Sequence, residues 1–203
     1  KLLSPGDKNM TNKLLACLIL AFSCNAYATI IIDQNNPTVG SGYCYTGVGA
    51  DCGQSFMQDN DNLAGVGIHI NSGWSAGDGT ITMSVYDSYG PTLGNLIASG
   101  TSGTINSNSG WVDVFWSAVS VNTASTYYLV LDSTQDYLVA SYSSYSNDYA
   151  NGNALYGGST QSNYDLTFHT FYDDSLSVPE PASIALFGLG LAGLGFSRKK
   201  KAV

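Results

Sequence analysis

Between Thr29 and Val178 the apolar residues recur at every second position, and that alternation restricts the fold more than any other feature. Val66, Ile68 and Ile70 are interleaved with Gly65, Gly67 and His69, and Ile81, Met83 and Val85 with Thr82, Ser84 and Tyr86. Val112, Val114 and Trp116 alternate with Trp111, Asp113 and Phe115, and Tyr127, Leu129 and Leu131 with Tyr128 and Val130. A two-residue period sends successive side chains to opposite faces of an extended chain, so each run reads as a strand buried on one side. Leu138–Tyr142 and Leu166–Phe171 read the same way. Clusters of Gly, Ser, Asn, Asp and Pro separate the runs, among them Ser72–Gly79, Ser88–Thr92 and Thr101–Gly110. No window in this region carries a helical apolar stripe. About eight short strands in one domain predict an all-β antiparallel β-sandwich, jelly-roll-like, with polar loops at both ends.

The distribution of charge excludes one class of partner. All seven basic residues lie at the chain ends: Lys1, Lys8 and Lys13, then Arg198, Lys199, Lys200 and Lys201. From Thr29 to Val178 there are thirteen aspartates and no Glu, Lys or Arg. That region therefore carries about −13 at neutral pH. Nucleic-acid affinity comes from Lys and Arg displacing counterions, so nucleic acid is excluded as a partner.

The two ends read as addresses. Residues 1–9 read as upstream sequence before a start at Met10. Residues 10–28 then form a signal peptide: Lys13 in a short positive region, Leu14–Cys24 as the apolar run, and Ala26-Tyr27-Ala28 as a signal-peptidase site. Residues 29–177 are the sandwich domain, and residues 178–203 the second address. This one begins with Val178-Pro179-Glu180-Pro181, where the prolines stop regular structure. An apolar span, Ile184–Phe196, follows as a short hydrophobic helix of roughly 20 Å, less than a ~30 Å hydrocarbon core. Arg198, Lys199, Lys200 and Lys201 close it and hold that end cytoplasmic.

Motif, span and basic cluster, in that order, closely resemble the PEP-CTERM sorting signal of Gram-negative bacteria. The resemblance implies transient membrane insertion, processing by an exosortase, and delivery to the cell surface or extracellular polysaccharide matrix. The domain itself resembles a common secreted bacterial sandwich module. The resemblance lies in Gln54–Phe56, Leu63–Val66, Val85–Asp87, Leu96–Gly100, Trp111, Thr126–Leu131 and Asp165–Phe168. That similarity implies a fold and no activity.

With Cys17 and Cys24 in the signal peptide, Cys44 and Cys52 remain, and in an oxidising compartment they are expected to form a disulfide. Their spacing fits neither a redox CxxC nor a zinc site.

Candidate chemistry is sparse. Gly73-Trp74-Ser75-Ala76-Gly77 matches GxSxG, and Ser75, Asp113 and His169 follow a hydrolase order. A nucleophile elbow needs a strand entering a helix, however, and this motif sits between strands, so it reads as a loop. His69 and His169 read as isolated residues on the polar phase of their strands. Asp59, Asp61 and Asp78 are candidate calcium ligands, since calcium takes six to eight hard oxygens; the same residues would also serve Asx-turns. Tyr142, Tyr145, Tyr149 and Tyr156, set among Ser, Asn, Asp and Gly, are candidates for a carbohydrate site. The expected function is non-catalytic: a secreted surface protein with a structural or adhesive role. The alternatives are a carbohydrate-binding module, with or without calcium, and then a secreted hydrolase.

Overall fold

A computed structural model describes residues 29–46, 52–70, 78–106, 109–134, 138–143 and 147–177. The expected signal peptide, the expected C-terminal hydrophobic helix and Ser75 lie outside the described residues. Among the described residues all of the regular structure is strand apart from one 3-10 turn, Asp174–Ser177. The strands are β1 (Ile30–Asn36), β2 (Gly42–Thr46), β3 (Cys52–Met57), β4 (Asn62–His69), β5 (Ile81–Tyr86), β6 (Leu96–Thr101) and β7 (Trp111–Ser120). They continue with β8 (Thr126–Ser133), β9 (Leu138–Ser143), β10 (Ala154–Tyr156), β11 (Ser159–Gln161), β12 (Asp165–Leu166) and β13 (Phe168–Asp173).

Every pairing is antiparallel. One sheet has the order β1-β13-β4-β7, a second β11-β10-β3-β8-β5-β6, and a small third β12-β9-β2. The expectation of an all-β antiparallel domain therefore holds. β1, β2 and the β10–β11 hairpin add to the runs that alternation marks. The hairpin turns at Gly157 and Gly158, both with positive φ (57° and 78°). Tight two-residue hairpins need that left-handed backbone, and glycine adopts it without a Cβ penalty.

The two larger sheets share one core. Val66 and Ile68 of β4, Val112 and Val114 of β7, and Phe168 of β13 form one buried cluster with Phe56 of β3, Met83 and Val85 of β5, and Leu129 and Leu131 of β8. The rings of Phe56 and Phe168 stand 6.3 Å apart across the layers. These are the in-phase residues of the alternating runs. Full burial of each such side chain stabilises the fold by about 1.5–3 kcal/mol.

A polar seam joins the third sheet to this core. Gln54 donates through Nε2 to Asp165 Oδ1 (2.9 Å) and accepts from the Leu166 amide at Oε1 (2.7 Å). Asn36 Nδ2 donates to the Leu166 carbonyl (2.9 Å), and Thr170 Oγ1 donates to Gln58 Oε1 (2.8 Å). Burial pushes the Asp165 carboxyl above its ordinary range. In a domain without Lys or Arg, the donors to this carboxylate include amides, among them Gln54 and the Tyr149 backbone N–H (2.9 Å). Among the described residues, no buried side-chain nitrogen or oxygen lacks a hydrogen-bond partner.

The expected disulfide is present. Cys44 and Cys52, with Cα atoms 5.9 Å apart, tie β2 of the small sheet to β3 of the six-stranded one. These two strands are not neighbours in any ladder, so the bond links sheets that backbone pairing leaves separate there.

Candidate functional site on the outer face of the four-stranded sheet

The side chains that alternation sends outward from β4, β7 and β13 form an aromatic surface. Residues opposite one another in a ladder share a face, and register arranges this surface in rows. Trp111 lies opposite His69. Asp113, Gly67, His169 and Asn35 form the next row across β7, β4, β13 and β1. Phe115, Gly65, Phe171 and Ile32 form the third. From Trp111 to Phe115 is roughly 13 Å along the strand, and the four strands span roughly 14 Å.

The central strand supplies two glycines to this face, and the reason is steric. A Cβ at Gly67 would lie 2.1 Å from both Asp113 Oδ1 and His169 Nε2. A Cβ at Gly65 would lie 2.7 Å from the Phe115 ring and 2.6 Å from the Val114 carbonyl oxygen. Side chains from the flanking strands therefore lean across β4 and meet over it. His169 Nε2–H donates to Asp113 Oδ1 at 2.7 Å, because an ionised carboxylate only accepts.

The rings brace one another. Trp111 stacks on His169 with centroids 4.1 Å apart and planes 9° apart. His69 meets the Trp111 ring edge-on at 5.6 Å, and burial lowers its pKa from the ordinary value. Phe171 packs edge-on against His169 (4.7 Å) and tilted against Phe115 (4.9 Å). His169 is covered by this stack, whereas Trp111 keeps 38% of its surface exposed, Ile32 46% and Phe115 54%.

His169 is therefore not the isolated polar-phase histidine that the sequence led us to expect. It is buried and paired with Asp113, two strands away. The signal that marks the place is Gly65-x-Gly67 on the outer phase of β4, which leaves room for that reach.

Other predicted site residues do not converge. Asp59 and Asp61 follow β3, whose end at Met57 pairs with Thr126; Asp78 precedes β5, whose start at Ile81 pairs with Ser133. Those are opposite ends of β8, so Asp78 cannot share a cation with Asp59 and Asp61. Among the described residues no three His, Cys, Asp or Glu side chains are grouped to hold a metal. The Asp59–Asn62 turn is organised by protein contacts. Asp33 accepts from the Asp59 amide (2.8 Å) and from Asn60 Nδ2, and Asn62 Oδ1 accepts from the Asp173 amide (2.8 Å).

The tyrosine set also divides. Tyr149 is a core residue: its hydroxyl donates to Gln34 Oε1 (2.9 Å), and its ring meets Phe168 edge-on at 5.1 Å. Burial raises its phenol pKa to about 12. A buried phenol with satisfied bonds offers no surface to a sugar. Tyr156 is exposed, in register with Cys52 at the other sheet. Tyr142 belongs to β9, opposite Gly42 and Leu166. Tyr145 lies outside the described residues.

The described molecule is thus an antiparallel β domain with one disulfide, one amide-lined seam and one aromatic outer face. Its tail gives it an identity of a second kind: residues 177–199 match the PEP-CTERM protein-sorting motif. This motif is a sorting signal, and it implies an extracellular protein sorted by an exosortase. No curated protein matches the chain.

Proposed function

We propose that this chain is a non-catalytic surface protein of a Gram-negative envelope, with a structural or adhesive role in the extracellular polysaccharide matrix. The observation that carries the reading is the sorting motif beginning at residue 177, four residues after the last strand of an all-β domain. Such a short connection makes the domain itself the cargo of the sorting signal. The domain is read as a jelly-roll sandwich. Eight strands (β1, β3–β8 and β13) take the sheet orders β1-β13-β4-β7 and β3-β8-β5-β6, which is the double Greek-key arrangement of that fold. The fold alone assigns no activity.

The test is processing and location in a producing cell with and without its exosortase. Deletion should leave the tail uncut and the protein held at the membrane. Unchanged mass and unchanged surface delivery would overturn the sorting reading. The non-catalytic part is tested by turnover of ester and polysaccharide substrates; turnover that Ser75→Ala or Asp113→Asn abolishes would overturn it.

A further inference from the structure

We propose that the outer face of β4, β7 and β13 binds an extended, uncharged polysaccharide ribbon, a β-1,4-linked hexose polymer, laid along β7 from Trp111 to Phe115. The proposal deepens the adhesive reading above and rests on it for its biological setting, while its geometry stands on the rings alone.

These rings are surplus to the fold. The inward residues of β7, Val112 and Val114, already belong to the core, and Trp111 and Phe115 point the other way. Single exposed apolar residues are ordinary, but contiguous exposed aromatic area marks an interaction surface. Here Trp111 and Phe115 are the exposed rings, and the buried His169 and Phe171 join them beneath through ring contacts between 4.1 and 4.9 Å.

The indole is also held in position. His169, which Asp113 holds at 2.7 Å, stacks on it and His69 meets it at a right angle, while 38% of Trp111 stays exposed. A ring fixed before binding loses little conformational entropy when a ligand stacks on it. The C–H bonds on one side of a pyranose ring carry slight positive charge and are attracted to a π face, by the same quadrupole that attracts cations.

Shape and charge then narrow the ligand. Asp113, His169 and Phe115 fill the space over Gly65 and Gly67, so the face is flat and not grooved. A flat surface roughly 13 Å long matches a ribbon longer than one sugar ring and mismatches a helical glucan. From Thr29 to Val178 no Lys or Arg is available to meet uronate, sulfate or phosphate, and thirteen aspartates repel them. The partly exposed Asp113 instead offers a carboxylate oxygen to sugar hydroxyls.

The experiment is retention of the full-length chain on suspended cellulose and chitin, with starch as the helical glucan and alginate as the acidic one. Saturable retention on cellulose or chitin is expected, falling about tenfold for Trp111→Ala and for Phe115→Ala. Trp111→Tyr, which keeps a ring, should restore most of it, and Tyr156→Ala should leave it unchanged. Urea midpoints of all variants separate loss of binding from loss of fold. The proposal is overturned by no retention on either ribbon, by equal retention of the ring-deleted variants, by preference for alginate or starch, or by a Trp111-dependent dimer covering the face. Failed retention with correct surface delivery removes the ligand and leaves the sorting reading intact; retention with failed delivery does the reverse.

Discussion

The two outer faces of the domain share the same backbone pattern and differ most in chemistry between the β5–β6 ladder and the strands β4, β7 and β13. On the six-stranded sheet, β5 and β6 present small hydroxyls that pair with one another: Thr82 with Thr101 and Ser84 with Ser99, each at 2.9 Å. On the four-stranded sheet, β4, β7 and β13 present rings around two glycines. The β5–β6 hydroxyls satisfy one another through neutral cross-strand bonds. The aromatic face leaves apolar area in water that the core does not use. Alternation decides only which residues point outward; what those residues are separates a surface that merely tolerates solvent from one equipped to hold something.

The largest effect is expected where the aromatic face is most crowded. Gly67→Leu should cost about 2–4 kcal/mol, through overpacking and loss of the Asp113–His169 bond, read as a fall in urea midpoint. Ser84→Val on the opposite face should stay within about 0.5 kcal/mol. Equal costs on the two faces would break the contrast. Next is the disulfide: Cys44→Ala with Cys52→Ala should lose about 2–3 kcal/mol in calorimetry, yet leave glycan retention unchanged, since the bond lies away from the rings. Trp111→Ala should cost about 1 kcal/mol, because only part of the indole is buried, while lowering glycan retention about tenfold.

Acid provides a finer separation. Burial holds the His69 pKa below its ordinary 6.5, so the unfolded chain takes up a proton more readily than the folded one. Stability from this group is present above pH 6.5 and is lost as pH falls from there through the lowered value; His69→Gln should remove that slope from a midpoint-against-pH series. On the hydroxyl sheet the β5–β6 hairpin is closed by Asp87, which accepts from Asn95 Nδ2 (2.7 Å) and the Asn95 amide (2.8 Å). These bonds hold the Asp87 carboxyl below its ordinary 3.8. Its contribution is present above pH 3.8 and is lost only below it, so Asp87→Ala should flatten a more acidic part of the same series. The smallest effect, under about 0.5 kcal/mol, is expected from Ser99→Ala, which removes one exposed hydroxyl bond.

The strands with clean alternation, β4, β5, β7 and β8, are legible in the sequence because each buries one face. β1 is not. Ile30, Ile31 and Ile32 are consecutive and exposed at a sheet edge, and a register irregularity follows between Ile32 and Asn35. β10 and β11 are three residues each, too short for a period, although Gly157-Gly158 is itself a hairpin signal. The aromatic face was half legible. Its residues stand in the polar phase of recognisable strands, but the meeting of Asp113 and His169 depends on the order β13-β4-β7, which no local pattern contains. Tyr149 misleads for the converse reason. A tyrosine among polar neighbours reads as surface, and only the fold brings Gln34 and Met57 to its hydroxyl.

β1 and β13 are antiparallel neighbours, and the Asp174 amide donates to the Thr29 carbonyl at 3.1 Å. The chain therefore enters and leaves the domain at one corner. β13 carries His169 and Phe171 of the aromatic face and continues within four residues to the sorting motif. A load applied at that face and resisted at the tail would run along β13. Its ladders to β1 and β4 would then be pulled in shear, with many bonds sharing the force, and not peeled open one at a time. Pulled between that face and its C-terminal end, the domain would behave as a lap joint.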